Sequence, residues 1–404
     1  MPGLNSITTM VAVGAGSRYE TKKNGGISHF LEHMFFKGSK KYPTAEMIST
    51  LVDGIGAINN AFTYKEYTAY WIKSAAKHVD LASDIIASML KESLLAEEEI
   101  NREKGVIVEE RRLYQDNPRR WVWDCYYALQ FDDQPLGWNV IGEEDVVNSL
   151  QRKDFVEYVD SLYATNNLSL IYAGKLPKNI KKIAEKYFSD LPSRAKFTPK
   201  PVKKQKQTKP KVGIFYKKTD QANLILGVEG FSRKDDRRYA ADVLETILGD
   251  GMSSRLFIQV RERRGLAYGV SAGQDNFLDT GTFVAYGGLK LEKVEEGLAV
   301  IKGELEKLIS EKVPADEMKK AKEMIRGRIA LQSESTNFLA EHFGIEFVLD
   351  RELESFDQYL KKIDAVTAED IQGVAKELFQ KNKYNLQIVG PFKSTKPFEK
   401  ILNS

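Results

Sequence analysis

With 404 residues, the chain exceeds what a single hydrophobic core ordinarily serves and suits two domains of roughly 200 residues each. Hydrophobic residues make up 42% and charged residues 29%, and no run approaches the roughly 20 apolar residues of a bilayer-spanning helix, which excludes a disordered chain and an integral membrane protein. Lys+Arg 60 against Asp+Glu 57 leaves a net charge of +3, so the overall charge gives no reason to expect nucleic acid or an anionic membrane as partner.

The opening residues Met1-Pro2-Gly3-Leu4-Asn5 show no export signal and no Arg-rich amphipathic transit sequence. Ile7 to Val13 then reads as a strand inside an apolar run that ends at Gly16, and after Gly25-Gly26 an apolar-periodic stretch predicts a helix carrying His29, Glu32 and His33. Ala57 to Thr63 and Tyr67 to Ile72 flank Tyr64-Lys65-Glu66 and predict a hairpin; Leu81, Ile85, Ile86, Met89 and Leu90 predict a helix after it. Residues 97–115 predict a second long helix, with Ile100, Glu103, Ile107, Glu110 and Tyr114 spaced three and four apart. The lone cysteine, Cys125, set among Trp123, Tyr126 and Tyr127, reads as buried filler rather than nucleophile and favours a reducing, cytoplasmic location.

Leu168 to Gly174 is the next strand. Residues 194–211 then carry eight Lys/Arg, no acid, and Pro199, Pro201 and Pro210, which predicts a solvated connector; the interleaved aromatics of a nucleic-acid groove are missing from it. Beyond it come strands at Leu224–Gly230, Tyr268–Ala272 and Thr282–Tyr286, a helix over Val294–Leu308, and a strand over Tyr384–Gly390.

The two halves repeat. Asp154, Leu162, Asn166, Leu170 and Gly174 recur as Asp370, Leu378, Asn382, Leu386 and Gly390, an offset of 216 residues, and the early strands match at 214, from Met10 to Leu224. The expectation is an α+β protein of two homologous domains, 1–193 and 212–404, joined by the linker 194–211, each an antiparallel β-sheet with α-helices packed on one face.

Only four histidines exist, and two of them fall in His29-Phe30-Leu31-Glu32-His33. On a helix, positions four apart share a face one turn apart, so both imidazoles can reach one ion with Glu32 beside them; this is the H-x-x-E-H arrangement of inverted zincins. His78 and His342, each alone, read as ordinary helical histidines. Glu103 and Glu110 lie on an otherwise apolar stripe, where a buried carboxylate needs a cation, a metal or a donor. Two imidazoles, one carboxylate and an open position describe a catalytic zinc site, whereas structural sites close all four positions and favour cysteine.

Across nearly its whole length the chain resembles the pitrilysin (insulinase) family of zinc metallopeptidases, in particular the two-domain branch containing the processing peptidases. The resemblance rests on Gly16-Ser17-Arg18, on His29 to His33 followed by Met34-Phe35-Phe36-Lys37-Gly38, on Asn60-Ala61-Phe62-Thr63, and on Glu103 to Glu110. It implies His29, His33 and Glu110 as zinc ligands, with 76 residues between His33 and Glu110 as in the family, Glu32 as general base and acid and Glu103 as partner of a ligand histidine. Arg261 and Tyr268, seven positions apart, match a family pair that contacts the substrate near the scissile bond.

The resemblance further implies a peptide held as an added β-strand near Asn60 and Ala61, in a chamber enclosed by the two domains of paired subunits, so that unfolded peptides or presequences are the substrates. A homodimer, or a heterodimer with a homologous subunit, follows from it. Phe36 and Phe62 are candidates for an apolar pocket near the scissile bond. Shifting the zinc motif by 214 lands on Val243 and Ile247, which predicts a second domain without metal. Relatives carry a further strand before the position of Met1. The alternative is a non-catalytic scaffold or partner subunit of a peptidase complex.

Overall fold

Strand β1 (Ser6–Val13) is rich in β-branched residues and buried along nearly its whole length, as expected of a central strand covered on both faces. In the computed structural model, which describes residues 3–194, 198–204 and 206–404, β1 belongs to a four-stranded antiparallel sheet with β2 (Ile58–Thr63), β3 (Thr68–Ala75) and β4 (Leu168–Gly174). The order is β2-β3-β1-β4, which leaves β2 and β4 at the edges. The hairpin of β2 and β3 closes over residues 64–67, where the Tyr64 N–H donates to the Tyr67 carbonyl over 2.8 Å.

Alternation along these strands separates two faces. Met10, Ala12 and Ala69 pack against Ala340 and Val348 of the helix Thr336–Asp350. Tyr70, the neighbour of Ala69, points the other way and meets Phe35 edge to face, with ring centroids 5.2 Å apart. On that second face lie the helices Ile27–Phe35 and Val79–Glu92.

A second sheet contains β5 (Lys211–Tyr216), β6 (Gln221–Gly230), β7 (Ala267–Asn276), β8 (Gly281–Lys290) and β9 (Asn385–Gly390), in the order β5-β9-β6-β8-β7. Its middle repeats the first sheet: β6 lies between β8 and β9 as β1 lies between β3 and β4. The strand β5 is additional and runs parallel to β9, so this sheet is not purely antiparallel. Leu224, Leu226 and Val228 pack against Val243, Leu244 and Ile247 of the helix Arg238–Gly249 and against Leu298 and Ile301 of the helix Val294–Ser310. Ile225, Val284 and Val389, on the opposite face, meet Trp121, Val122 and Tyr126 of the helix Pro118–Phe131.

Each sheet therefore carries helices on both faces, where the sequence reading placed them on one. The division of the chain follows from those two covering helices. One compact unit comprises Met1–Arg112, Trp138–Lys200 and Leu331–Glu354; the other comprises Leu113–Gly137, Pro201–Ala330 and Ser355–Ser404. A single cut at a linker assigns 113–137 and 331–354 to the opposite units, because packing of their apolar faces, not chain order, decides which sheet they cover. Of the expected linker 194–211, residues 195–197 and 205 lie outside the described residues, as do Met1 and Pro2 of the opening segment. Among the described residues no helix is long and apolar enough to cross a membrane.

Candidate metal centre

The motif helix Ile27–Phe35 begins at Gly26, whose φ of +92° favours glycine and where an added Cβ would lie 2.3 Å from the Ile141 carbonyl oxygen. The buried Glu20 carboxylate accepts from the Gly26 N–H at 2.7 Å and the Ser28 N–H at 2.9 Å, satisfying helix donors that would otherwise be orphaned. Ser28 Oγ and the Tyr158 hydroxyl, 2.6 Å apart, tie the first turn to the helix Arg152–Leu162. Ile27, Phe30, Leu31, Met34 and Phe35 are buried and fix the rotation of the helix, which sets where His29, Glu32 and His33 project.

The opposing helix Glu97–Asp116 is held by buried Ile100, Ile107 and Val108. Glu110 Oε2 lies 3.5 Å from His29 Nε2 and 3.4 Å from His33 Nε2, and one donor atom from each of the three residues falls within 4.8 Å of the others. Ligand bonds of roughly 2.0–2.1 Å in a tetrahedral site give an edge of about 3.3 Å between donors. The two nitrogen-to-carboxylate separations match that edge and lie at the long end of the hydrogen-bonding range. The donor set, two imidazoles and one carboxylate, suits a divalent transition metal with one position left for solvent.

The surroundings are polar and directed. His33 Nδ1 lies 2.9 Å from Glu103 Oε1, and Lys37 Nζ lies 2.5 Å from Glu103 Oε2. The Thr63 hydroxyl, at the end of β2, donates to Glu32 Oε2 over 2.6 Å. Burial alone lowers the His33 pKa, but hydrogen bonds and negative charge from Glu103 and Glu110 outweigh it and raise the value to about 9. Hydrogen bonds to His29 and His33 hold Glu110 well below the usual carboxylate range, against the opposing effect of burial. Glu103 is raised by burial but lowered on balance by His33 and Lys37. The other histidine, His29, is 7% exposed, and its Nδ1 has no hydrogen-bond partner among the described residues.

Residues 3–144 match the family model described as Insulinase (Peptidase family M16), and residues 149–325 match Peptidase M16 inactive domain. An uncharacterized zinc protease of Bacillus subtilis is 34% identical over 393 residues, covering 96% of this chain and 94% of its own length. One of Streptomyces coelicolor is 34% identical over 399 residues, covering 97% and 86%. The chain belongs to the insulinase family. A protease from Helicobacter pylori has the same fold, with a TM-score of 0.89 at 23% identity over 96% of this chain and 94% of that one.

In this insulinase-family chain the remaining expected residues divide. Asn60 and Ala61 stand on the edge strand β2, Asn60 exposed and Ala61 buried, and the Asn60 amide oxygen accepts from the Ala61 N–H at 2.9 Å. Phe36 and Phe62 do not share a pocket. Phe36 lies toward Tyr70, on the motif-helix face, at 6.4 Å between ring centroids. Phe62 pairs with Ala69 across the hairpin, so the pleat turns it to the face of the helix Thr336–Asp350, where it packs edge to face on Tyr67.

Arg261 and Tyr268 lie in the second unit and meet each other. The guanidinium sits 5.4 Å from the Tyr268 ring centroid and 4.8 Å from that of Phe257. Arg261 falls in a π-helical segment, Phe257–Glu262, and Tyr268 is the extra residue where the register of β7 slips between Ala267 and Gly269. Both irregularities re-aim side chains, and Tyr268 is 78% exposed. Val243 and Ile247 are buried on the helix Arg238–Gly249, and among the described residues the only three-residue group placed to hold a metal is that of His29, His33 and Glu110. Sequence reasoning quoted Lys37 and Thr63 only as members of motifs and assigned them no partners; the i, i+4 spacing of His33 and Lys37 was the available signal.

Proposed function

We propose that the chain is a zinc-dependent endopeptidase acting on extended or unfolded peptides. The observation that carries this reading is the convergence of His29, His33 and Glu110 from two helices, with Glu110 Oε2 at distances from both Nε2 atoms that fit the edge of a tetrahedral site. The zinc proteases among its relatives support the same metal.

When bound, zinc supplies Lewis acidity and lowers the pKa of a water it holds toward neutrality. The rest falls to the chain's own groups. His29, His33 and Glu110 hold the ion, and Glu103 accepts from His33 Nδ1, which leaves Nε2 as the ligand atom. Glu32 takes the proton of the attacking water and delivers it to the departing amine. Because Thr63 occupies Glu32 Oε2, the other carboxylate oxygen is the one left for that proton.

A peptide adds to the free edge of β2 beside Asn60 and Ala61, taking up main-chain groups of the edge strand in place of the Asn60 side chain. Arg261 and the exposed Tyr268 hydroxyl donate to the oxygen that gains charge in the transition state. The resemblance to two-domain processing peptidases supports subunits paired around a chamber, with Arg261 and Tyr268 reaching the peptide from a second copy of the chain or a homologous partner.

The reading is tested with Glu32→Gln. Stoichiometric zinc with loss of cleavage of unstructured peptides, by roughly three orders of magnitude or more, is the expected result. Undiminished cleavage would refute the assignment of Glu32, and turnover of small esters with no turnover of peptides would refute the substrate class.

A further inference from the structure

Lys37 lies two residues beyond the end of the motif helix. Its backbone N–H donates to the Met34 carbonyl at 3.0 Å, so it continues the helical path and stands one turn beyond His33 on the same side. The next residue, Gly38, has φ +135°, and a Cβ there would lie 2.3 Å from the Pro43 carbonyl oxygen. The chain therefore turns away at once, and the Lys37 main chain is fixed relative to His33.

Both side chains reach one carboxylate. Glu103 is 3% exposed, with Oε1 2.9 Å from His33 Nδ1 and Oε2 2.5 Å from Lys37 Nζ. An exposed ion pair would be screened and worth little, but here the acidic partner is almost wholly removed from water. A carboxylate bonded through a single oxygen can rotate about its terminal torsion and swing off its partner; bonded through both, it is held in one plane.

We propose that Lys37 is a positioning residue for the zinc site: by anchoring Glu103 Oε2 it keeps Oε1 on His33 Nδ1, and so keeps His33 Nε2 aimed at the point shared with His29 and Glu110. The role rests on the zinc-peptidase reading of this site. The lysine touches neither metal nor substrate, and it also supplies the positive charge that balances Glu103.

The test compares Lys37→Met and Lys37→Arg with the unaltered protein, each also combined with Glu103→Gln, reading zinc affinity of the metal-free proteins by competition with a chelator. Removing such an outer contact from a ligand histidine costs roughly 10- to 100-fold in metal affinity. Lys37→Met is expected to lose about tenfold, Lys37→Arg to stay within about threefold of the unaltered protein, and Lys37→Met to cost nothing further once Glu103 is Gln. Should Lys37→Met not fold, Lys37→Gln is measured in its place, with the same expectation. Zinc binding as tight in Lys37→Met as in the unaltered protein overturns the proposal, and so does a tenfold loss that persists in the Glu103→Gln background. No zinc uptake by the unaltered protein would instead overturn the zinc reading itself.

Discussion

Raising the pH from 7 to 9 is expected to tighten zinc binding by about fiftyfold. In the metal-free site the His33 pKa, lowered by burial but raised more strongly by Glu103 and Glu110, stands at about 9. Zinc needs the lone pair on Nε2, so the proton must leave first. For a competing proton with a pKa of about 9, the weakening is about 100-fold at pH 7, about tenfold at pH 8 and about twofold at pH 9. Competition with a chelator of known pH dependence measures the affinity. Calorimetry in buffers of different ionisation enthalpy measures the proton released, expected to be about one per zinc at pH 7 and about one half at pH 9.

The same shift bears on stability of the metal-free protein, with a definite sign. A folded-state value of about 9 against the reference value of 6.5 stabilises the folded chain fully below pH 6.5, and this contribution is lost as the pH rises through 9. It amounts to about 3 kcal/mol for a ring whose side chain is 22% exposed. An apparent zinc affinity that stays flat between pH 7 and 9, with no proton released, would show that His33 does not sit between Glu103 and Glu110 as described.

Two further outcomes follow from the site. Thr63→Val removes the donor to Glu32 Oε2 while keeping the β-branched shape; peptide cleavage should fall by about tenfold with zinc content unchanged, and an unaltered rate would show that Glu32 is oriented by other contacts. Mixing Glu32→Gln chains with Tyr268→Phe chains should restore part of the activity that neither has alone; no recovery in confirmed mixed dimers would count against sharing of groups between subunits.

The parts of the site legible in the sequence were those set by local periodicity. His29 and His33 share a face because a helix repeats in 3.6 residues, and Glu103 and Glu110 share one for the same reason on the second long helix. The opposite exposures of Asn60 and Ala61 and the separation of Phe62 from Phe36 follow from the two-residue period of β2, which the pocket assignment overlooked. What the sequence left hidden was tertiary. The helix Thr336–Asp350 carries Phe338, Leu339, Phe343, Phe347 and Val348 around much of its circumference, so its pattern does not say which sheet it covers. The Trp, Tyr and Val side chains of Pro118–Phe131 likewise fit either sheet face by composition. The Thr63 bond to Glu32 and the Lys37 bond to Glu103 join segments 31 and 66 residues apart and needed the packing of the sheet and helices to become visible.

Zinc stoichiometry and coordination in one sample test the central claim most directly. X-ray absorption on the zinc-loaded protein should show one zinc per chain bound by two imidazole nitrogens and one carboxylate oxygen at about 2.0–2.2 Å, and Glu110→Gln should lose the carboxylate ligand and most of the affinity. A chain that takes up no zinc, or one whose coordination and affinity are unchanged in Glu110→Gln, would contradict it.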